Sequence, residues 1–302
     1  MRIVFMGTPE FAVASLAALL DAGKEIVAVV TAPDKPAGRG QKISESAVKQ
    51  FAVSKGLPVL QPVKLKDSDF IAQLTALKPD LQVVVAFRML PEVVWNLPPQ
   101  GTINLHASLL PNYRGAAPIN WAVINGEKET GLTTFKLQHE IDTGDILLQD
   151  KLTIGDQETA GELHDRMKTA GAALLVKTVT ELEKGKLQAT AQNADSTFKH
   201  APKLYKEDCV IQWNLSAEHI YNQIRGLSPY PTAFTNIGGK NLKIFRAALV
   251  QQQPHVKPGE FVTDHKTFLK FAAADGWLNL EEVQLEGKKK MGIEEFLRGI
   301  RL

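Results

Sequence analysis

This 302-residue chain has a single cysteine, Cys209, which excludes an internal disulfide and a cysteine-rich zinc site. One unpaired thiol also fits a reducing compartment. No apolar run approaches the ~18 residues that a membrane-crossing helix needs. Arg2–Met6 enters a strand-like run without a charged leader or a small-residue cleavage site. A cytoplasmic protein with no membrane association is therefore expected. The G-x-G-x-x-G dinucleotide fingerprint is missing: the first turn reads Gly7-Thr8-Pro9-Glu10-Phe11, and Pro9 and Phe11 fill the space glycines would leave open. There is no His-Glu-x-x-His, and neither His139 nor His164 has a second histidine at ligand spacing, so no catalytic metal is expected. Charge bias is also missing. The 35 Lys+Arg against 33 Asp+Glu leave +2, so any nucleic-acid surface must come from local clustering.

The hydrophobic content of 44% suits a folded chain with a sizeable core, and the length suggests about two domains. Strand-like runs at Ile3–Met6, Ile26–Val30, Gln82–Phe87 and Gly101–His106 alternate with helical patterns at Phe11–Leu20, Phe70–Leu77 and Glu162–Leu182. This predicts an α/β domain with a mostly parallel, Rossmann-like sheet. Leu132–Leu137 and Ile146–Asp150 read as later, antiparallel strands. The composition turns polar and small after Gly185. Short alternating runs then follow at Val210–Trp213, Ala233–Asn236, Leu242–Ala248, Phe268–Ala272 and Leu278–Val283, with one helix at Ala217–Leu227. They predict a small OB-like β-barrel. The expected division is a catalytic domain over 1–188, a linker over 189–206 and a barrel over 207–302.

The chemistry concentrates at Asn104-Leu105-His106-Ala107-Ser108-Leu109-Leu110-Pro111 and at Ile141-Asp142-Thr143-Gly144-Asp145. Asn104 and His106 are two apart, so an extended strand turns both the same way. Ligands in such sheets bind beyond the carboxyl ends of the strands, where His106 falls. An amide donor, an imidazole and a carboxylate are what acyl transfer to an amine requires. An isolated Asp-Thr-Gly-Asp is more often a turn, with glycine supplying positive φ.

The run from His106 through Ser108-Leu109-Leu110-Pro111 to Arg114-Gly115 resembles, without a break, the signature of the formyltransferases that use 10-formyltetrahydrofolate. The Asp142 loop, the Gly7 opening and Pro33-Asp34-Lys35-Pro36-Ala37-Gly38-Arg39-Gly40 resemble further family segments. The resemblance implies that Asn104, His106 and Asp142 form the catalytic triad, and that Phe87, Arg88, Met89, Leu90, Ser108, Leu109, Leu110 and Pro111 border the folate. Phe87-Arg88 departs from the Tyr-Gly that many members carry. The Arg39 loop resembles the branch of the family that formylates methionine esterified to initiator tRNA. The implied RNA contacts are Lys35, Arg39, Lys42, Lys203 and Lys206.

The implied reaction is attack of the neutral α-amine on the formyl carbon. Asn104 and protonated His106 stabilise the resulting oxyanion, and Asp142 orients His106. No covalent enzyme intermediate is required, and Cys209 is expected to be a packing residue. A monomer is expected, since no self-complementary helix seam is visible. The rival readings are a formyltransferase for a small amine and a non-catalytic RNA-binding protein.

Overall fold

The structure, a computed structural model, describes residues 1–37, 42–193 and 197–299. The chain forms two compact units that interleave in sequence. One holds Met1–Arg114, Gly131–Leu152 and His164–Lys199; the other holds Gly115–Thr130, Thr153–Leu163 and His200–Leu302. Where the sequence suggested three consecutive segments, 115–130 and 153–163 thus group with the C-terminal part.

The elements in chain order are β1 (Arg2–Gly7), α1 (Glu10–Asp21), β2 (Glu25–Val30), β3 (Lys35–Ala37), β4 (Lys42–Ser44), α2 (Ala47–Ser54), β5 (Val59–Leu60), α3 (Ser68–Ala76), β6 (Leu81–Val85), α4 (Glu92–Trp95), β7 (Thr102–His106), β8 (Arg114–Gly115), α5 (Pro118–Ile124), β9 (Glu129–Lys136), β10 (Ile146–Thr153) and α6 (Ala160–Glu183). After them come β11 (His200–Ala201), α7 (Ala217–Leu227), β12 (Ala233–Ile237), β13 (Lys240–Val250), β14 (Phe261–Thr263), β15 (Leu269–Ala272), β16 (Trp277–Leu285), β17 (Met291–Gly292) and α8 (Ile293–Gly299).

The first sheet has the order β10-β9-β7-β6-β1-β2-β5. Its pairs from β5 to β7 are parallel, and β9 runs antiparallel to β7. The β-branched run of β6 is buried at every position, as a strand covered on both faces demands. Its one polar residue, Gln82, accepts a hydrogen bond from the Thr102 hydroxyl at 2.9 Å. Local caps fix the helices: Ser46 accepts from the Lys49 N–H, and Asp67 from those of Asp69 and Phe70. Thr159 and Glu162 form a reciprocal capping box at the head of α6. The Thr159 N–H donates to the Glu162 carboxylate at 2.9 Å, and the Glu162 N–H donates to Thr159 Oγ1 at 3.3 Å.

The C-terminal unit carries an antiparallel sheet in the order β12-β13-β16-β15-β14, with β17 on β16, forming a half-barrel. Its core includes Ile220, Ile224, Phe271, Leu280 and Phe296. Ser216 caps α7 by accepting from the His219 N–H. The α5 helix packs on α7 so closely that a Cβ on Gly226 would lie 2.5 Å from Ile124 Cγ1. Asn120 Nδ2 donates to the Gly226 carbonyl at 2.8 Å in the same contact. The expected strand over Val210–Trp213 does not form; only Val210 makes an isolated bridge, with Phe234. Among the described residues no helix is long and apolar enough to cross a membrane.

Candidate active site

Alternation along β7 sorts its side chains. Leu105 faces α6, where Gly171 leaves room for it: a Cβ there would come within 2.9 Å of Leu105 Cδ2. Asn104 and His106 project from the opposite face. The His106 ring is buried and bonds through Nε2 to the Tyr113 carbonyl at 2.9 Å. A carbonyl can only accept, so Nε2 carries the hydrogen and Nδ1 is the nitrogen left for chemistry. Nδ1 lies 3.8 Å from Asp142 Oδ2, with the two side chains 7% and 12% exposed. The half-buried Asn104 amide makes no hydrogen bond to any described residue, so its donors are uncommitted. The structure thus brings His106 and Asp142 together, beside Asn104.

The loops that carry these groups are strained. Ala86, Tyr113 and Asp142 hold φ values of 47°, 61° and 55°, a region that costs a non-glycine residue about 1–3 kcal/mol. In the Asp142 turn the positive φ falls on the aspartate itself and not on Gly144. Gly144 is needed for space instead, since a Cβ there would sit 1.6 Å from the Lys136 carbonyl oxygen.

Two fastenings in this region were missed by sequence reasoning. One is the Tyr113 backbone carbonyl. The other is Gln192, inside the expected linker, which donates to the Asp142 and Gly144 carbonyls at 2.9 and 2.8 Å. Neither leaves a periodic signal; the nearest hint is that Tyr113 and Arg114 belong to the signature run.

The expected folate wall divides into exposed and inward parts. Met89 is 76% exposed, as is Ile141 beside Asp142 at 62%. Leu90 is buried in the core, with half-buried Phe87 packed against it. Arg88 donates to the Pro62 and Val63 carbonyls, and burial pushes its guanidinium pKa down. Ser108 Oγ donates to the Asn112 carbonyl at 2.6 Å. The Leu110 N–H donates to Thr133 Oγ1 at 3.1 Å, and its carbonyl accepts from Gln149 at 3.0 Å. Half-buried Leu109 lies against Gly131, and Leu110–Pro111 is a cis peptide. This segment is therefore a scaffold tied to β9 and β10.

Of the expected RNA contacts, Lys35 is exposed on the β3–β4 hairpin, Arg39 lies outside the described residues, and only the backbone of Lys42 is described. Asp34, at the foot of that loop, is held by Lys49 and Gln61, bonds that keep its carboxyl below the usual range. Lys203 and Lys206 are exposed, and the Lys203 ammonium lies 5.5 Å from the ring of Tyr205, itself 59% exposed. Among the other cations of the barrel, Arg246 pairs with Glu162, and Lys290 with Glu282 at 2.7 Å.

A cavity of about 290 Å³ lies within the C-terminal unit and contains none of the His106 group. Its buried Arg225 is spent on Asn222 Oδ1 and on the Gly155 and Glu158 carbonyls. Among the described residues no group of three His, Cys, Asp or Glu is arranged to hold a metal ion.

The formyl transferase family matches residues 1–179, and the formyl transferase C-terminal domain matches residues 203–301. The methionyl-tRNA formyltransferase of Parabacteroides distasonis is 53% identical over 311 residues, covering 100% of this chain and 96% of that protein. That of Flavobacterium johnsoniae is 49% identical over 304 residues, covering 99% and 96%. The fold is shared with an N-formyltransferase from Helicobacter canadensis, solved in complex with folinic acid and dTDP-3-aminofucose. That comparison has a TM-score of 0.69 and 19% identity, covering 96% of this chain and 100% of that one. HypX from Aquifex aeolicus in complex with tetrahydrofolic acid gives a TM-score of 0.68 at 19% identity, covering 99% and 48%. By domain content and by full-length identity, the chain belongs to the formyl transferase family.

Proposed function

We propose that this protein transfers the formyl group of 10-formyltetrahydrofolate to the α-amine of methionyl initiator tRNA, giving N-formylmethionyl-tRNA for translation initiation. The observation that carries the reading is full-length identity of about half to methionyl-tRNA formyltransferases, in a chain that sets Asn104, His106 and Asp142 around one strand end. On this reading residues 1–188 hold the reaction, 189–206 connect, and 207–302 bind RNA. The protein works in the cytoplasm as a monomer.

The donor supplies a formyl carbon activated toward amines. Met89, in the segment after β6, and Ile141, next to Asp142 in the chain, are large apolar side chains left in solvent that suit the face of a planar heterocycle. Met89 and the backbone of 86–90 would hold it, with 108–111 as the fixed frame. His106 Nδ1 takes a proton as the amine adds to the formyl carbon, and that proton passes to N10 as the carbon–N10 bond breaks and tetrahydrofolate leaves. Asp142 offsets the charge the ring then gains. The uncommitted Asn104 amide donates to the formyl oxygen as negative charge builds there. Cys209 has no part: it is buried in the C-terminal core, and burial pushes its thiol pKa up. Lys35, Arg39, Lys42, Lys203 and Lys206 neutralise RNA phosphates.

The deciding experiment supplies 10-formyltetrahydrofolate with methionyl initiator tRNA, and with free methionine as control. Formylation of the RNA-borne methionine alone is expected. Folate binding without product on either acceptor would replace this reading with a small-amine acceptor.

A further inference from the structure

We infer that Gln192 is a positioning residue of the formyl-transfer centre, acting through Asp142; the inference rests on the function proposed above. All four hydrogen-bonding positions of its amide are filled. Nε2 gives its two hydrogens to the Asp142 carbonyl at 2.9 Å and the Gly144 carbonyl at 2.8 Å. Oε1 accepts from Arg114 Nε at 3.2 Å and from Arg114 Nη2 at 2.6 Å. The Arg114 guanidinium lies 4.5 Å from the centre of the Phe198 ring, which holds its plane.

The arrangement matters because Asp142 sits at a φ of 55°, a left-handed conformation that aspartate tolerates better than most residues and that hydrogen bonds to the loop backbone help to hold. Gln192 grips the backbone on both sides of Thr143 and so sets where the Asp142 carboxylate points. Arg114 ties the two halves of the pair together. Its side chain holds Gln192, and its chain neighbour Tyr113 holds His106 Nε2 at 2.9 Å. A rotation of the Asp142 loop would leave His106 fixed and move its carboxylate away. A residue that merely pinned residues 189–193 to the domain would not affect the charge beside His106.

The test uses full-length protein carrying Gln192→Ala, Gln192→Glu, Asp142→Asn and the Gln192→Ala/Asp142→Asn pair. Hydrogen exchange followed by mass spectrometry should quicken over residues 139–146 in Gln192→Ala, with the rest unchanged. Turnover should fall about 10- to 100-fold, with KM for both substrates within about threefold, the pattern of a misplaced catalytic group. Gln192→Glu can still pair with Arg114 but has no hydrogens for the two carbonyls, so it should fall as far. It serves if the alanine variant does not fold. In the Asp142→Asn background, Gln192→Ala should cost less than about threefold more, because the group it positions is already gone.

Unchanged exchange over 139–146, unchanged kcat, or a full additional loss in the double variant would overturn the inference. Failure of the unmodified protein to formylate methionyl-tRNA would instead remove the proposed function, and the exchange measurement would still decide whether Gln192 holds the loop.

Discussion

Replacing Asp142 by asparagine removes one charge while keeping the side chain's size. The carboxylate lies 3.8 Å from His106 Nδ1, where the proposed proton transfer leaves a positive ring. At an effective dielectric of roughly 20, two unit charges at that separation interact by about 4 kcal/mol. The side chains retain 7% and 12% exposure, so solvent and reorganisation reduce this to roughly 2–4 kcal/mol. Since each ~1.4 kcal/mol of barrier is a factor of ten, turnover should fall roughly 30- to 1,000-fold. The interaction is made as charge develops, so binding of folate and RNA should hardly change. Single-turnover formylation at saturating concentrations, with separate binding measurements, reads this directly. A folded Asp142→Asn protein within about threefold of normal turnover would refute the electrostatic role. An equal loss in folate binding would show that Asp142 shapes the pocket instead.

His106→Ala should remove about 10³-fold or more of turnover and leave folding and RNA affinity nearly intact, checked by rapid-quench assay and circular dichroism. Arg39→Ala should raise KM for methionyl-tRNA while folate binding holds; equal losses would count against the loop assignment. Burial pushes the Cys209 thiol up, so a neutral-pH alkylating agent should label the native protein slowly and the unfolded protein fully, as mass spectrometry would show. The Thr159 backbone bond comes first, with the Thr159 hydroxyl and Arg246 adding to it, in lowering the Glu162 carboxyl below its usual value. A depressed folded value gives stability that is present above the unfolded value and lost as pH falls through the folded one. Urea midpoints between roughly pH 5 and 3 should therefore drop less steeply in Glu162→Gln than in the parent protein.

The sheet was legible because β1, β2 and β6 are short, largely apolar runs rich in Ile and Val, as strands covered on both faces require. The α7 helix was legible through its apolar spacing, although Ser216, its cap, was not singled out. By contrast α5 was hidden behind Gly115 and Pro118, read as loop punctuation although proline suits the first turn of a helix. Val210–Trp213 has the alternation of a strand but finds almost no ladder to join. That Asn104 and His106 share a face follows from their spacing alone. That Asp142 comes to His106 follows from no local rule and needed the family resemblance. The carbonyl of Tyr113 and the amide of Gln192 could not have been found this way, since backbone atoms and a lone glutamine in a polar stretch carry no pattern.

The interleaving of the two units bears on how the C-terminal part can be separated. A cut at the polar stretch after Gly185 looks natural on paper, yet α5 would stay with the other fragment. The liberated piece would lose Ile124 and Trp121 from its core and expose the α7 surface around Gly226 that α5 covers. Such a fragment should clump or melt early, and exchanging the barrel between family members should succeed only if residues 115–130 and 153–163 travel with it.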